Sequence, residues 1–542
     1  MAQFINQKEK LVQDALDGLL RASGGAKLAR LDGFPGIKVI MRTDHKPSRV
    51  AIIAGGGSGH EPAHASFVGA GMLTAAVAGE IFASPSIDAV FAAIMAVTGP
   101  GGCLLIFKNY TGDRLNFGLA VERARSLGKK VEVVIVKDDI AIPGIAQPRG
   151  VAGVVFVEKI AGHFAEKGWP LHKVAKIAQD VADAAVSLGL ALSSCTIPGI
   201  GREDRVPLGK AELGLGIHGE PGVELIGFED AAKTARALTD RLFKRARPAK
   251  SYALLVNNLG STTPLEMALL TNEVLAGPHG KKIKLVCGPA NLVTSLDMHG
   301  FSFSLLPLKP EWEVALQSPA SPLVWPKVYR HEKPKLVKLP KESKIKTFKP
   351  SKNPALAATL AKACDIIIAH EKPLNALDAR VGDGDTGSTL ATAARYIHAN
   401  IGKLPLAKQD DFFAALSQAM THAIGGSSGV LLAIFFSSAG QSTGKNWKAA
   451  LQFGLEKMMA YGGAGPGHRT MIDALAPSLA ALSASGDLNA AAQAARTGAN
   501  ATGKMTRAQA GRSSYVSADN LAGINDPGAE AVALLLEGLA KA

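Results

Sequence analysis

Cysteine is scarce. The 542 residues contain four, Cys103, Cys195, Cys287 and Cys364, and no two form a C-x-x-C pair. Neither a zinc ribbon, a dithiol redox centre nor a disulfide framework is expected. Reduced, buried thiols fit a cytoplasmic protein. There is also no run of about 20 apolar residues, so no membrane span is expected. Met1 to Asn6 show no charged segment leading into an apolar run, and no signal peptide is expected. An acidic excess is missing as well: 60 Lys and Arg face 46 Asp and Glu, a formal net charge of +14. At 47% hydrophobic and 20% charged residues the chain is not disordered throughout. Its length suggests several domain-sized units.

The first 320 or so residues alternate short apolar runs with helical patterns. Val50–Ala54, Leu104–Phe107, Val131–Val136 and Ala253–Val256 read as buried strands. Asn116–Leu127 and Leu171–Leu188 read as helices. This alternation predicts an α/β region, residues 1–326, with a mainly parallel or mixed sheet and helices on its faces. Residues 327–352 hold ten Lys or Arg and two Glu, punctuated by Pro334, Pro340 and Pro350. They read as an extended basic linker. That stretch carries +8 of the +14. With few aromatics for bases to stack on, it gives no support for a nucleic-acid partner. Residues 353–542 are Ala- and Leu-rich. Leu356–His370, Asp411–Ala423, Trp447–Tyr461 and Ala529–Leu539 are amphipathic, predicting an all-α domain of roughly eight helices.

Several glycine-dense segments bear on function. Gly55-Gly56-Gly57-Ser58-Gly59-His60-Glu61-Pro62 follows the Val50–Ala54 strand, where a glycine turn exposes backbone N–H groups to a small ligand. Gly214 to Gly219 matches G-x-G-x-x-G, but the flanking strand and helix of a dinucleotide site are not evident. His218 stands within that bare loop. Gly498 to Lys504 approaches a Walker A motif, but Met505 replaces the Ser or Thr needed on Mg²⁺, so no P-loop is expected.

The strongest local signal is Asn375 to Thr389, with Asp378, Asp383 and Asp385 around a Gly-Asp-Gly-Asp-Thr-Gly turn. Clustered carboxylates repel unless a cation lies between them, and hard oxygen donors favour Mg²⁺ or Ca²⁺. An EF-hand fails for want of its twelfth-position Glu. Ser388 and Thr389 open a helix whose N-terminus favours phosphate, predicting a Mg²⁺–nucleotide site. Gly425 to Gly429, with Ser427 and Ser428, and Gly462 to Met471 offer further loops.

Together these segments resemble the ATP-dependent dihydroxyacetone kinases, essentially end to end. The matching motifs are the 55–62 run, Phe82 to Ser86, Lys108 to Asp113, Gly216 to Gly222, Leu377-Asp378 with 382–387, 425–429, Arg469 to Leu475, Gly511 to Tyr515 and Asp526 to Ala529. The resemblance implies an α/β substrate half of two α/β subdomains, near 1–185 and 186–326, followed by an eight-helix up-and-down barrel that binds ATP and Mg²⁺. It implies that His218 forms a hemiaminal with the carbonyl of dihydroxyacetone or glyceraldehyde. Asp113 would be the base, His60 a second acid/base or orienting group, and Gly57 and Lys108 substrate contacts. Asp378, Asp383 and Asp385 correspond to the Mg²⁺ ligands. Gly387, Ser388, Thr389, Ser427, Ser428, Gly467, Arg469, Thr470, Met471, Asp526 and Gly528 correspond to nucleotide contacts. One departure stands out: His468 occupies a position where the family usually has Asp. The resemblance further implies a homodimer in which one chain's ATP domain serves the other's substrate domain, with no nucleic-acid or membrane partner. Two alternatives share the scaffold: FAD cleavage to cyclic FMN, and a longer ketose such as erythrulose. Phosphoenolpyruvate-linked relatives usually split the two halves and read Gly-Asp-Gly-Asp-His-Gly, so the fusion and Thr386 favour free ATP.

Overall fold

The structure is a computed structural model. It describes residues 3–23, 27–31, 33, 36–203, 205–322, 324–340, 346–423, 426–442, 444 and 446–541, without the side chains of 426–428 and 512. The chain forms two compact units, Met1–Lys335 and Leu336–Ala542.

In the first unit, helix α1 (Leu11–Ala22) precedes β1 (Leu28–Arg30), β2 (Val39–Arg42), β3 (Ala51–Ser58), β4 (Ala75–Ile81), α2 (Ile87–Val97), β5 (Cys103–Lys108), α3 (Thr111–Ser126) and β6 (Val131–Val136). These strands form a sheet of order β1-β2-β4-β3-β5-β6. Its β4-β3-β5-β6 part is parallel. From β3 the chain moves to β4 on one side, then crosses to β5 on the other. The switch point, where open α/β sheets bind ligands, therefore lies between the carboxyl ends of β3 and β5.

Strands β3 and β5 are buried on both faces, which is why their sequences are continuous apolar runs. Alternate residues serve different cores. Ala51, Ile53, Leu105 and Phe107 pack with Val90 and Ile94 of α2 and Phe117 of α3. Ile52, Ala54, Leu104 and Ile106 pack with the next helices, α4 (Val154–Glu166) and α5 (Leu171–Ala182). The helix expected to run to Leu188 stops at Ala182. Asp183 caps it, and Val186 to Leu188 enter a strand instead.

A second sheet follows. Its segments are β7 (Val186–Ala191), the small hairpin β8 (Thr196–Ile197) and β9 (Gly201–Arg202), β10 (Lys210–Leu213), β11 (Glu224–Gly227), α6 (Ala231–Arg245), β12 (Tyr252–Asn258), α7 (Pro264–Ala276), β13 (Ile283–Asn291), β14 (Gly300–Pro307), α8 (Pro310–Gln317) and β15 (Val328–Arg330). The order is β11-β10-β7-β14-β12-β13-β15. It is mixed, with β12–β13 parallel and the other pairs antiparallel. Leu254, Val256 and Phe303 face α6 and α7, while Ala253, Leu255 and Leu306 join the same core as the first sheet's Ile52 and Leu104. Helix α4 belongs to that shared core and is buried from Val154 to Ala165. Such a position favours a largely apolar helix, and the buried residues of α4 are apolar apart from Glu158, Lys159 and His163. Strand β15 corrects the linker reading, because Val328–Arg330 pair with Leu285–Cys287. Val328 packs on the shared core and Arg330 reaches Glu313 at 2.6 Å.

The second unit is all-helical: α9 (Pro354–Ala369), α10 (Glu371–Asp378), α11 (Thr386–Asn400), α12 (Gln409–Ala423), α13 (Gly426–Gln441), α14 (Trp447–Gly462), α15 (Ile472–Ser485), α16 (Leu488–Thr502), the short α17 (Ala518–Leu521) and α18 (Pro527–Ala540). From α11 to α16 each helix packs on the next, α16 packs on α18, and α18 returns to α9. Nine helices of eight residues or more are present among the described residues, rather than eight. The extra one arises at Pro373, which has no N–H for the carbonyl of Ala369, so the chain breaks at His370 into α9 and α10. Gly498 to Lys504 is no phosphate loop. Gly498 lies inside α16, where a Cβ would fall 2.0 Å from the Asp473 carbonyl oxygen, so glycine permits a close crossing. No described helix is long and apolar enough to cross a membrane.

Two helical glycines should respond to alanine with opposite signs. At Gly118 in α3 nothing lies within 4 Å of an added Cβ, so Gly118→Ala is expected to stabilise by about 0.5–1 kcal/mol. At Gly162 in α4 that Cβ would fall 2.4 Å from the Met72 carbonyl oxygen and 2.5 Å from its Cα. Main chain cannot step aside, so overpacking of about 1–3 kcal/mol outweighs the propensity gain. Urea denaturation midpoints of the two variants check both signs.

Candidate functional site

The carboxyl end of β3 carries a correction to the glycine turn. Gly55–Gly57 stay within the strand, and Gly55 pairs with Val77 and Phe107. A Cβ at Gly55 would fall 2.4 Å from the Val77 carbonyl oxygen, and one at Gly57 2.8 Å from the Ala83 nitrogen. These glycines admit neighbouring backbone. The turn begins at Gly59, whose φ of +96° suits glycine. It delivers His60, fully buried, into a seam with the second sheet's 292–298 loop. Thr294 N–H donates to the His60 carbonyl (3.2 Å), Leu296 N–H to that of Gly59 (2.8 Å), and the Thr294 hydroxyl to that of Glu61 (2.9 Å). Asn257 at the end of β12 holds the loop, its Oδ1 accepting from Leu292 N–H (3.0 Å) and Val293 N–H (2.9 Å).

His60 Nδ1 lies 2.8 Å from the Thr294 carbonyl, an acceptor only, so Nδ1 carries the proton. Nε2 is left with its lone pair, buried and without a partner. Burial, and then the charge of Lys108, push the His60 ring well below the usual histidine range, so it is neutral.

Past β5, Lys108 and Asp113 meet the same ground. Asp113 lies in the first turn of α3, and both side chains are buried. The Cβ position of Gly56 is 3.4 Å from Lys108 Nζ and 3.7 Å from Asp113 Oδ2, so a side chain there would fill the space both groups border. Burial raises the Asp113 carboxyl, and the Lys108 charge opposes that. Burial also lowers Lys108, opposed chiefly by Asp113 and Glu158.

His218 comes from the connection between β10 and β11. A strand does precede this G-x-G-x-x-G loop, but the chain returns into β11 and not into a helix, so no dinucleotide geometry results. Arg149 ties the loop down. It donates to the Gly214 carbonyl (2.8 Å) and pairs with Asp139 (2.7 Å). The ring of His218 meets Tyr110 edge-on at 4.4 Å between centroids, His60 at 4.8 Å and Phe82 at 5.5 Å. Its Nδ1 lies 3.3 Å from Glu220 Oε1, while Glu220 Oε2 accepts the His218 N–H at 2.9 Å. A carboxylate on Nδ1 holds the proton there and leaves Nε2 as the bare nitrogen. Burial would raise Glu220, but His218 outweighs it and holds the carboxyl down at about 2.

Structure thus brings together His60, Lys108, Asp113 and His218. It adds residues that the sequence reading passed over. Tyr110 and Glu220 frame His218, and Lys108 Nζ is 3.1 Å from His64 Nε2, whose Nδ1 is 2.5 Å from Glu158 Oε1. Glu158 had one visible signal, an acid directly after the apolar run Val154–Val157.

In the second unit the acidic residues converge. Asp378, Asp383 and Asp385 each offer a carboxylate oxygen, all within 4.8 Å of one another. Asp378 is buried at the end of α10. Its Oδ2 accepts from Asp385 N–H (2.9 Å) and Thr386 N–H (3.0 Å), folding the turn around itself. A Cβ at Gly382 would sit 2.3 Å from Asp378 Oδ1, and Gly384 has φ of +80°. A hard cation fits this all-carboxylate donor set. The amides expected to cradle phosphate are partly committed within the protein. Ser388 N–H donates to Asn375 Oδ1 (2.9 Å) and Thr389 N–H to the Asp385 carbonyl (2.9 Å). A Cβ at Gly387 would strike the Glu371 carbonyl at 2.1 Å, so this glycine packs α11 on α10. Gly425 and the side chains of Ser427 and Ser428 lie outside the described residues.

Gly467, Thr470 and Met471 do gather with Asp526 and Gly528. Asp473 accepts the N–H groups of Gly467 (2.5 Å) and Thr470 (2.8 Å), and a Cβ at Gly528 would lie 3.0 Å from Met471 Cβ. Arg469 differs from expectation. Its guanidinium is fully buried and donates to the Ile524 carbonyl (2.8 Å), so it braces two loops and does not present a cation to solvent. Asp526 caps α18, and burial pushes its carboxyl up to about 6.

Residues 26–323 match the Dak1 domain and residues 380–541 the DAK2 domain. The chain is 47% identical to the dihydroxyacetone kinase of Citrobacter freundii, over 99% of each chain. It is 36% identical to the triokinase/FMN cyclase of Homo sapiens, over 99% of this chain and 98% of that one. The crystal structure of the C. freundii enzyme with AMP-PNP and Mg²⁺ matches with a TM-score of 0.75 at 45% identity, covering 100% of this chain and 99% of that one. With both domains matched and near-complete coverage at such identity, the chain belongs to the dihydroxyacetone kinase family of ATP-dependent phosphotransferases.

Proposed function

We propose that this protein phosphorylates dihydroxyacetone and glyceraldehyde with ATP, holding the substrate as a covalent hemiaminal on His218. The observation that carries this reading is the His218 ring. Glu220 occupies Nδ1, three rings wall the imidazole, Nε2 is left with its lone pair, and His218 is near enough to Asp113 to act on its carboxyl electrostatically. A carbonyl carbon presented there accepts that pair. The C–N bond forms, the carbonyl π electrons move to oxygen, and the one proton that Nδ1 yields to Glu220 is returned, through solvent, to that oxygen. Nothing is expelled. Polyols such as glycerol have no carbonyl and cannot be anchored this way.

Asp113 is the base for the attacking hydroxyl, its carboxyl raised by burial toward a useful range. The neutral His60, with Nε2 bare, orients or shuttles a proton at the same hydroxyl. Asp378, Asp383 and Asp385 would hold Mg²⁺, which when bound offsets phosphate charge during transfer. Gly387, Ser388, Thr389, Ser427, Ser428, Gly467, Thr470, Met471, Asp526 and Gly528 line the nucleotide side in this reading, with Arg469 as an internal brace. The four buried cysteines favour the cytoplasm. The human relative's name supports testing cyclic FMN formation alongside.

Intact mass spectrometry after incubation with dihydroxyacetone should show the mass of one whole ketose added to the wild type and absent from His218→Ala. An adduct that persists in that variant refutes His218 as the anchor. Under saturating MgATP the wild type should turn over dihydroxyacetone and glyceraldehyde but not glycerol, with erythrulose and FAD as further arms. Asp383→Ala should lower kcat by at least about 10²-fold, and unchanged turnover removes the metal assignment. If the active form is a homodimer working across subunits, mixing inactive His218→Ala and Asp383→Ala chains should restore about a quarter of wild-type activity, since half of randomly paired dimers gain one competent site. No recovery after subunit exchange contradicts that assembly.

A further inference from the structure

Helix α4 lies in the first unit's shared core, yet its sequence places two ionisable groups side by side, Glu158 and Lys159, both fully buried. Lys159 is accounted for locally: Nζ donates to the Ala315 carbonyl (2.5 Å) and the Ser318 hydroxyl (2.7 Å). Glu158 points toward the site. Oε1 is 2.5 Å from His64 Nδ1, Oε2 is buried without a partner, and His64 Nε2 is 3.1 Å from Lys108 Nζ. An ammonium can only donate, so His64 Nε2 accepts, and Nδ1 must carry the proton given to Glu158. The three side chains form one directed chain from cation to anion through a neutral imidazole.

We infer that His64 and Glu158 are positioning residues for phosphoryl transfer, acting by fixing the Lys108 ammonium beside Asp113. A lysine otherwise has three freely rotating donors on a flexible stem. With one N–H committed to His64, the direction of the other two is set. The stem is confined as well, because a Cβ at Gly150 would fall 2.8 Å from Lys108 Cβ. Glu158 also supplies the negative charge that keeps a buried ammonium protonated where no water can. Lys108 then stands as a fixed positive charge at the spot where the hydroxyl oxygen becomes more negative as it loses its proton to Asp113. This is a contribution to the transition state and not to the ground state, because the ketose is already held at His218.

The inference rests on the kinase reading, and wild-type turnover separates the two. Absence of ATP-dependent turnover in the wild type defeats the kinase reading. Wild-type turnover that Glu158→Gln leaves untouched defeats only this inference. Glu158→Gln keeps the shape of the side chain and an oxygen for His64 but removes the charge. It should lower kcat at least about tenfold, short of the 10²–10³-fold typical of losing a transition-state donor outright. KM for dihydroxyacetone and the His218 adduct mass should stay as in the wild type. In a Lys108→Met background the same substitution should cost nothing more, because residues acting through one another are not additive. An equal loss in both backgrounds, or a loss seen in KM and adduct yield, identifies a merely structural role. If Glu158→Gln does not fold, His64 decides. His64→Gln, which can accept from Lys108 and donate to Glu158, should retain kcat that His64→Ala loses, and equal losses overturn the proposal.

Discussion

Everything on the substrate side depends on a seam of hydrogen bonds, main-chain and side-chain, between two loops from different sheets. The turn after β3 and the loop after β13 exchange bonds at Gly59, His60, Glu61, Thr294 and Leu296. Each bond is modest, on the order of 1 kcal/mol net. Their value is geometric, because His60, Lys108 and Asp113 come from the first sheet, whereas His218 comes from the second. A slip along the seam would part the anchor from the base.

The interior around that seam holds a dense set of ionisable groups, and charge balance explains why it holds. Asp138 accepts the N–H groups of Val151 (2.8 Å) and Gly153 (2.7 Å), Asp139 pairs with Arg149, and Glu158 meets Lys108 through His64. Each of these three carboxylates accepts at least one hydrogen bond. His60 Nε2 and the Tyr110 hydroxyl, by contrast, are buried and unpartnered beside His218. Buried polar atoms are rarely left so, and these two call for a reason.

Much of this was legible in the sequence. The apolar runs of β3 and β5 announced strands buried on both faces, and the alternation of runs and helical patterns announced the layers. The acidic turn at 378–385 was readable because three like charges so close need a reason. What escaped was long-range or context-bound. The end of α9 was legible, since the expected helix ends at His370, but the short α10 around Pro373 was not foreseen. Val328–Arg330 form an edge strand despite their basic neighbours, because β13 leaves an edge open and Val328 finds the shared core. Arg469 reads as a phosphate-facing cation, yet it turns inward on a backbone with φ of +60°, a fact no composition reports. His64 and Glu158 are 94 residues apart, and only the fold makes them neighbours.

The glycines of β3 also shape how this protein can change over generations. Gly55 and Gly57 face backbone atoms at 2.4 and 2.8 Å, so almost any side chain at either position collides with a neighbour that cannot move. A survey of substitution tolerance would mark them as fixed as sharply as His218, although neither brings a functional group to the reaction. Their invariance would record the closeness of strands, while that of His218 would record chemistry. Abundance in the cell, measured beside activity, distinguishes the two kinds of constraint.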